Sequence, residues 1–384
     1  MTTVPFRAQC IFATLLLTGC GGSAAVTPGQ AFQDVPGDNV AVHRVALANG
    51  ASFTQFPLPR WQSAQSVALD RTSTPWVLTQ FAIDRVGTDG HVTTFPMPAK
   101  ARGLHGFLGL YGGIALGRDG ALWFLGEVRY PSKLFPTNST LFRLTTEGKL
   151  TSYPLPGPNE FTQELVPFDI ASGVDGKLWF TIGSDNSAGP GCTLGSASTQ
   201  GVLGPYAHAC NSDGVATGPD GNDMWVAGGG QDPEAQQSIE SYSAQAKAGR
   251  SFRLPLTSNP EGIATGPDGN LWITVVGFNE IMRLTITGKR TMYALPTKYA
   301  FGKQSWGPQE ARIVSGSNAM WFVEPGANAI GRISMSGQIT EYAIPTPHSG
   351  VTGLAISSSC SSYGVHLWFV ESASNKLAML TAPC

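Results

Sequence analysis

Charge is scarce in this chain. Asp, Glu, Lys and Arg make up 13% of its 384 residues, 24 basic against 26 acidic, for a net charge of −2. That share is about half the usual one. It excludes the basic face that nucleic-acid binding needs, so no nucleic-acid partner is expected. Long apolar runs are lacking too. The most apolar early stretch, residues 11–17, is too short to span a bilayer as a permanent helix. None of the six cysteines stands in a CxxC pair, which speaks against a zinc site. There is no GxSxG elbow, Walker loop, HExxH pair or dinucleotide-binding glycine motif. In abundance are apolar residues, at 42%, with 47 glycines and 27 prolines. A chain of this size and apolarity buries a large core, and its turn residues point to many short elements.

The first segment, 1–20, reads as an export signal, with Arg7 its only charge and the apolar run behind it. It ends in Leu17, Thr18, Gly19 and Cys20, which resembles the bacterial lipobox. That resemblance implies acylation of Cys20 and an extracytoplasmic lipoprotein held to a membrane by its acyl chains. Residues 21–42, rich in Gly, Ala and Pro, read as a flexible tether. Residues 43–384 then form one domain. Cys10 leaves with the signal, so Cys192, Cys210, Cys360 and Cys384 remain. Of the three pairings open to them, the local ones are Cys192–Cys210 and Cys360–Cys384, and export permits both disulfides.

Within that domain one unit recurs. Trp76, Trp123, Trp179, Trp225, Trp272, Trp321 and Trp368 stand at intervals of 46 to 56 residues in similar surroundings. The best-formed unit begins GIATGPDGNLWIT at Gly262 and closes with MYALP at Pro296. Its parts read as a short strand, a tight turn at Asp268 and Gly269, a strand buried on both faces, an alternating strand, and an outer strand ended by proline. Four antiparallel strands in roughly 47 residues make one blade of a β-propeller. The predicted fold is therefore all-β: a seven-bladed propeller of four-stranded antiparallel blades. Asp119, Asp175, Asp220 and Asp268 are read as turn formers. The third unit lacks a recognisable outer strand after Trp179 and is expected to be irregular there.

The ends of the domain complement each other. The last unit stops one strand after Trp368, while SFTQFPLP from Ser52 is an outer strand with no unit of its own. This N-terminal strand is expected to complete the seventh blade and close the ring, removing two open edges at once.

The repeat, best seen in WFVEPGANAIGRI from Trp321 and GQITEYAIPTP from Gly337, resembles the virginiamycin B (streptogramin B) lyase family over about residues 50–384. The resemblance implies a small-molecule or peptide ligand at the mouth of the central channel. It further implies a metal-assisted carbon–oxygen lyase that opens a cyclic depsipeptide with Mg²⁺, carboxylates and two histidines. The positions matching those histidines are Ala311 and Thr352, which can neither take nor return a proton. Hence a second expectation, a non-catalytic propeller that binds a ligand or a protein.

Counting back from each Trp puts Gln65, Gly112, Phe168, Asp213, Glu261, Ala311 and Thr352 around the mouth. Asp213 and Glu261 fall in adjacent blades. With Glu310 and His348 they are the candidate catalytic groups, His348 lying in the connection that enters the last blade. Asp213, Glu261 and Glu371 are the candidate ligands for a hard cation such as Mg²⁺. Glu324 and Glu371 stand three residues after their Trp, and Glu127 four; all three also suit hydrogen bonding between blades. Of the remaining histidines, His91 and His366 read as structural, and His105 and His208 lie in connecting segments. A monomer is expected.

Overall fold

The computed structural model describes residues 42–47, 50–59, 63–97, 112–129, 137–155, 165–184, 193–209, 212–228, 237–302, 311–357 and 364–383. Cys20, Cys192, Cys210, Cys360, Cys384, Glu310 and His105 lie outside these residues, and with them the lipidation site, both disulfides and one catalytic candidate. Among the described residues no helix is long and apolar enough to cross a membrane.

Seven antiparallel sheets follow one another along the chain. Their first strands are Ala64–Leu69, Ile114–Leu116, Leu165–Ser172, Ser212–Thr217, Pro260–Thr265, Ile313–Ser315 and Val351–Ile356. Each lies against the first strand of the next blade, and the seventh against the first, so these strands ring a central axis. Seven apolar clusters fill the spaces between neighbouring blades. A sheet buried on both faces needs apolar residues on both, which is why the strands through the tryptophans are unbroken apolar runs.

The ring closes as the sequence predicts. Ser52–Pro57 pairs with Lys376–Ala382 in register from Ser52↔Thr381 to Pro57↔Lys376. Phe53 enters the cluster between blades six and seven, and Phe56 and Leu58 enter that between seven and one. One strand was not foreseen: His43–Ala46 pairs outside Ser52–Pro57, all four residues exposed, making the seventh sheet five-stranded. The third blade corrects a second expectation. Its outer strand is present as Leu203–His208, paired with Thr193–Ala197. The proline signal was hidden because Pro205 sits inside this strand, where the register shifts, rather than closing it.

The tryptophans hold the blades in two ways. Their rings stack on outer-strand aromatics, Trp76 on Phe95 at 5.3 Å and Trp272 on Tyr293 at 5.7 Å between centroids. Their indole N–H groups donate to the turn aspartates, Trp123 to Asp119, Trp179 to Asp175 and Trp272 to Asp268, at 3.0–3.2 Å. These aspartates are therefore acceptors for the core as well as turn formers. Burial works against the charge on Asp268, but bonds from Trp272, Arg283 and Asn270 outweigh it and hold its carboxyl below the usual range. Blade four differs by one inserted residue between Gly221 and Trp225. Asp220 is displaced from the indole, and the buried Trp225 N–H has no acceptor.

Candidate functional site at the channel mouth

Antiparallel pairing brings the start of each first strand beside the end of the second, as in Ala64↔Thr79, Pro260↔Val275 and Val351↔Glu371. Gln65, Asp213, Glu261, Thr352, Glu324 and Glu371 thus gather at one end of the propeller. The connections between blades, with His348, open at the same end. Here the first strands are bulged, with register shifts at Ala64/Ser66, Pro167/Asp169, Ser212/Gly214, Pro260/Ile263 and Thr352/Leu354. Such extra residues re-aim side chains and cluster beside functional sites. One position further along, Gly214 and Gly262 let neighbouring blades touch: a Cβ on either would strike the backbone carbonyl of Glu261 or Ala311.

The connections are pinned by asparagines. Asn279, Asn328 and Asn375 adopt φ values of 57°, 53° and 52° at the turn between second and third strands. Their side-chain amides donate to the carbonyls of Thr297, Thr346 and Pro59 at 2.8–3.0 Å. Each asparagine thereby fixes the segment leading into the following blade. This explains why an asparagine recurs two residues before Ile281, Ile330 and Leu377.

Glu261 is buried, and its carboxylate is occupied. Oε1 accepts from the Asn259 amide at 3.0 Å, and Oε2 accepts from the Ala311 backbone N–H at 3.3 Å. Ala311 itself is 1% exposed, and its carbonyl accepts from the Thr274 hydroxyl at 2.8 Å. Thr352 donates its hydroxyl to the Gln65 carbonyl at 3.1 Å, joining blade seven to blade one. The two positions matching the family histidines are therefore joints between blades. Asp213 is half-buried and also engaged. Glu371 is fully buried, with Oε1 accepting from Gln55 at 2.6 Å, Oε2 from Ser374 at 3.0 Å, and Lys376 Nζ 3.8 Å away.

Among the described residues no three of His, Cys, Asp and Glu are grouped to hold a metal ion. Asp213, Glu261 and Glu371 are not grouped into the three-carboxylate centre read from the sequence, and Glu261 and Glu371 are each bonded to separate structural partners. The Mg²⁺ implied by the resemblance does not fit them.

Two other carboxylates stand out. Glu324 is fully buried, and neither oxygen has a hydrogen-bond partner. Burial first, and the Glu341 carboxylate second, push its pKa up to about 8. It is an acid held neutral below that pH, lodged where Gly331 has no side chain; a Cβ there would lie 2.7 Å from Oε1. Glu341 is itself bonded by the Thr297 backbone N–H at 3.0 Å and hydroxyl at 2.6 Å. His348 is exposed, with φ 50°, beside Ser349, which donates to Asn328.

The sequence reading missed one ion pair between first strands on different blades. Arg312 of blade six forms an ion pair with Asp169 of blade three. Asp169 also accepts the N–H groups of Ile170 at 2.8 Å and Val215 at 3.2 Å. Both lie one residue beyond the ring of mouth positions. At that step the seven blades carry Ser66, Gly113, Asp169, Gly214, Gly262, Arg312 and Gly353. Two opposite charges among five small residues was the available signal.

Residues 207–383, blades four to seven, match the model of the virginiamycin B lyase family. Selenomethionine-substituted virginiamycin B lyase from Staphylococcus aureus superposes with a TM-score of 0.67 at 22% identity, covering 86% of this chain and 99% of that one. A catalytically inactive variant of the same enzyme, solved with quinupristin, gives 0.66 at 22% identity with the same coverage. A streptogramin B lyase structure gives 0.64 at 24% identity, covering 86% and 97%. No curated protein sequence matches the chain. With the family's pattern in its last four blades and the same seven-bladed fold throughout, this chain resembles the virginiamycin B lyases.

Proposed function

We propose that this propeller is an extracytoplasmic protein, anchored through lipidated Cys20, that binds a small molecule or peptide at its channel mouth as a monomer. In this reading it binds without the elimination chemistry of the lyases it resembles. One observation carries it: the two positions where that chemistry would need histidine are the buried Ala311 and the blade-joining Thr352. Elimination needs one group to take a proton and another to return it. Glu261 is committed to Asn259 and Ala311, and Glu371 to Gln55 and Ser374. A ligand of this class draws support from the relative of Staphylococcus aureus that was solved with quinupristin. A lyase reading is kept by one feature, the exposed His348 at the rim, which would have to serve as the base with Glu261, Asp213 or Glu310 returning the proton.

The test is purified protein with a type B streptogramin, with and without Mg²⁺. Binding is read by calorimetry, and ring opening by chromatographic retention and fragmentation, since elimination leaves the mass unchanged. Binding with an intact ring is expected. A ring-opened product that disappears in His348→Ala would replace this reading with the lyase one, and absence of both binding and turnover would remove the streptogramin class.

A further inference from the structure

In a ring of seven, blades three and six stand on opposite sides of the axis. Arg312 leaves the start of the sixth blade's first strand and meets Asp169 on the third, so its side chain crosses the channel. Asp169 is 8% exposed and is aimed by the N–H groups of Ile170 and Val215. Beneath the guanidinium lies Gly113 of blade two. A Cβ there would come within 2.6 Å of Asp169 Oδ1 and within 3.2 and 3.3 Å of the two Arg312 Nη atoms. The bare backbone of Gly113, the fixed carboxylate and the small residues at the same step leave room for one planar cation.

We propose that Arg312 is a built-in plug: its guanidinium fills a site formed by Asp169 and the bare backbone of Gly113, and closes the axial channel beneath the mouth. The mouth is then a blind cup, entered from one face only, with an ion pair as its floor. A planar, forked donor suits a carboxylate better than an ammonium does, so the site selects a guanidinium over an amine. The plug does not depend on the ligand proposal, since its tests use no streptogramin.

The test removes the plug and supplies it again from solution. Arg312→Ala leaves Asp169 buried without its cation, and the melting temperature is expected to fall by on the order of 5–10 °C. Ethylguanidinium at millimolar concentration should restore most of that loss, while ethylammonium or sodium chloride at equal ionic strength should not. The double variant Arg312→Ala, Asp169→Asn should not respond. Absence of selective rescue in folded Arg312→Ala overturns the proposal. If that variant does not fold, Gly113→Ala decides. It keeps every charge and adds one methyl where the guanidinium lies, so a melting temperature as high as that of the unaltered protein overturns the plug.

Discussion

Replacing Glu324 by Gln should make the protein more stable at pH 8 and change little at pH 4. The folded chain holds the Glu324 proton up to about pH 8, whereas an unfolded glutamate releases it near 4.5. A folded pKa raised in this way gives stability that is fully present below about 4.5 and is lost as pH rises to about 8. The difference of 3.5 units (8 − 4.5) corresponds to roughly 5 kcal/mol at 1.36 kcal/mol per unit. That figure is a ceiling, since water entering around an ionised carboxylate relieves part of the cost; about 2–4 kcal/mol is the expected span. Gln has nearly the same shape but no proton to lose, so its variant lacks this slope. Asp84, also buried, is raised to about 6 by burial, partly opposed by Thr94; it adds a slope of the same sign below that pH. Asp84 is present in both proteins, and its contribution cancels in the comparison. The measurement is urea denaturation of both proteins from pH 4 to 8.5, with the difference in unfolding free energy plotted against pH. A flat difference across pH 5–8 would refute the claim that Glu324 is carried neutral in the fold.

Two further predictions concern the frame. Phe53→Ala removes a fully buried ring packed edge-on against Phe369 at 6.0 Å, and should cost about 3–5 kcal/mol in chemical denaturation. A loss below about 1 kcal/mol would mean that the N-terminal strand does not hold the seam. Asp268→Ala strips the Trp272 indole of its acceptor and Arg283 of its partner, and should cost about 2–3 kcal/mol. Asp220→Ala should cost under about 1 kcal/mol, because the inserted residue in that turn has already separated it from Trp225. Equal losses for the two variants would contradict the division of roles drawn for these aspartates.

The fold was legible because its signals are local and repeated. Each Trp states one blade, four of them with an Asp-Gly turn upstream, and the unmatched strand from Ser52 finds the gap after Lys376–Ala382 by simple bookkeeping of strands. The added strand His43–Ala46 left no such trace, since all its residues are exposed and only backbone bonds define it. The mouth was legible in position but not in chemistry. Counting back from the tryptophans located Asp213 and Glu261, yet the partners that occupy Glu261, the Asn259 amide and the Ala311 N–H, arise from a bulge and a neighbouring blade. Glu371 was read as a metal ligand because its spacing from Trp368 was visible. Gln55, its partner 316 residues away in sequence, was not. Arg312 and Asp169, 143 residues apart, meet only because the ring places blades three and six face to face.

The seam imposes an order on assembly. Phe53 faces Leu380, so this strand is synthesised long before the strand it pairs with. Six sectors can form as the polypeptide lengthens, each from neighbours close in sequence, but the seventh must wait for Ser52–Pro57 and Lys376–Ala382 to meet. Loop closure over such a separation is slow compared with making a local hairpin. Until it happens, the exposed flanks of the first and sixth sectors remain open to pairing with other molecules. A truncated chain lacking either Ser52–Pro57 or Lys376–Ala382 would be trapped in that open, adhesive form.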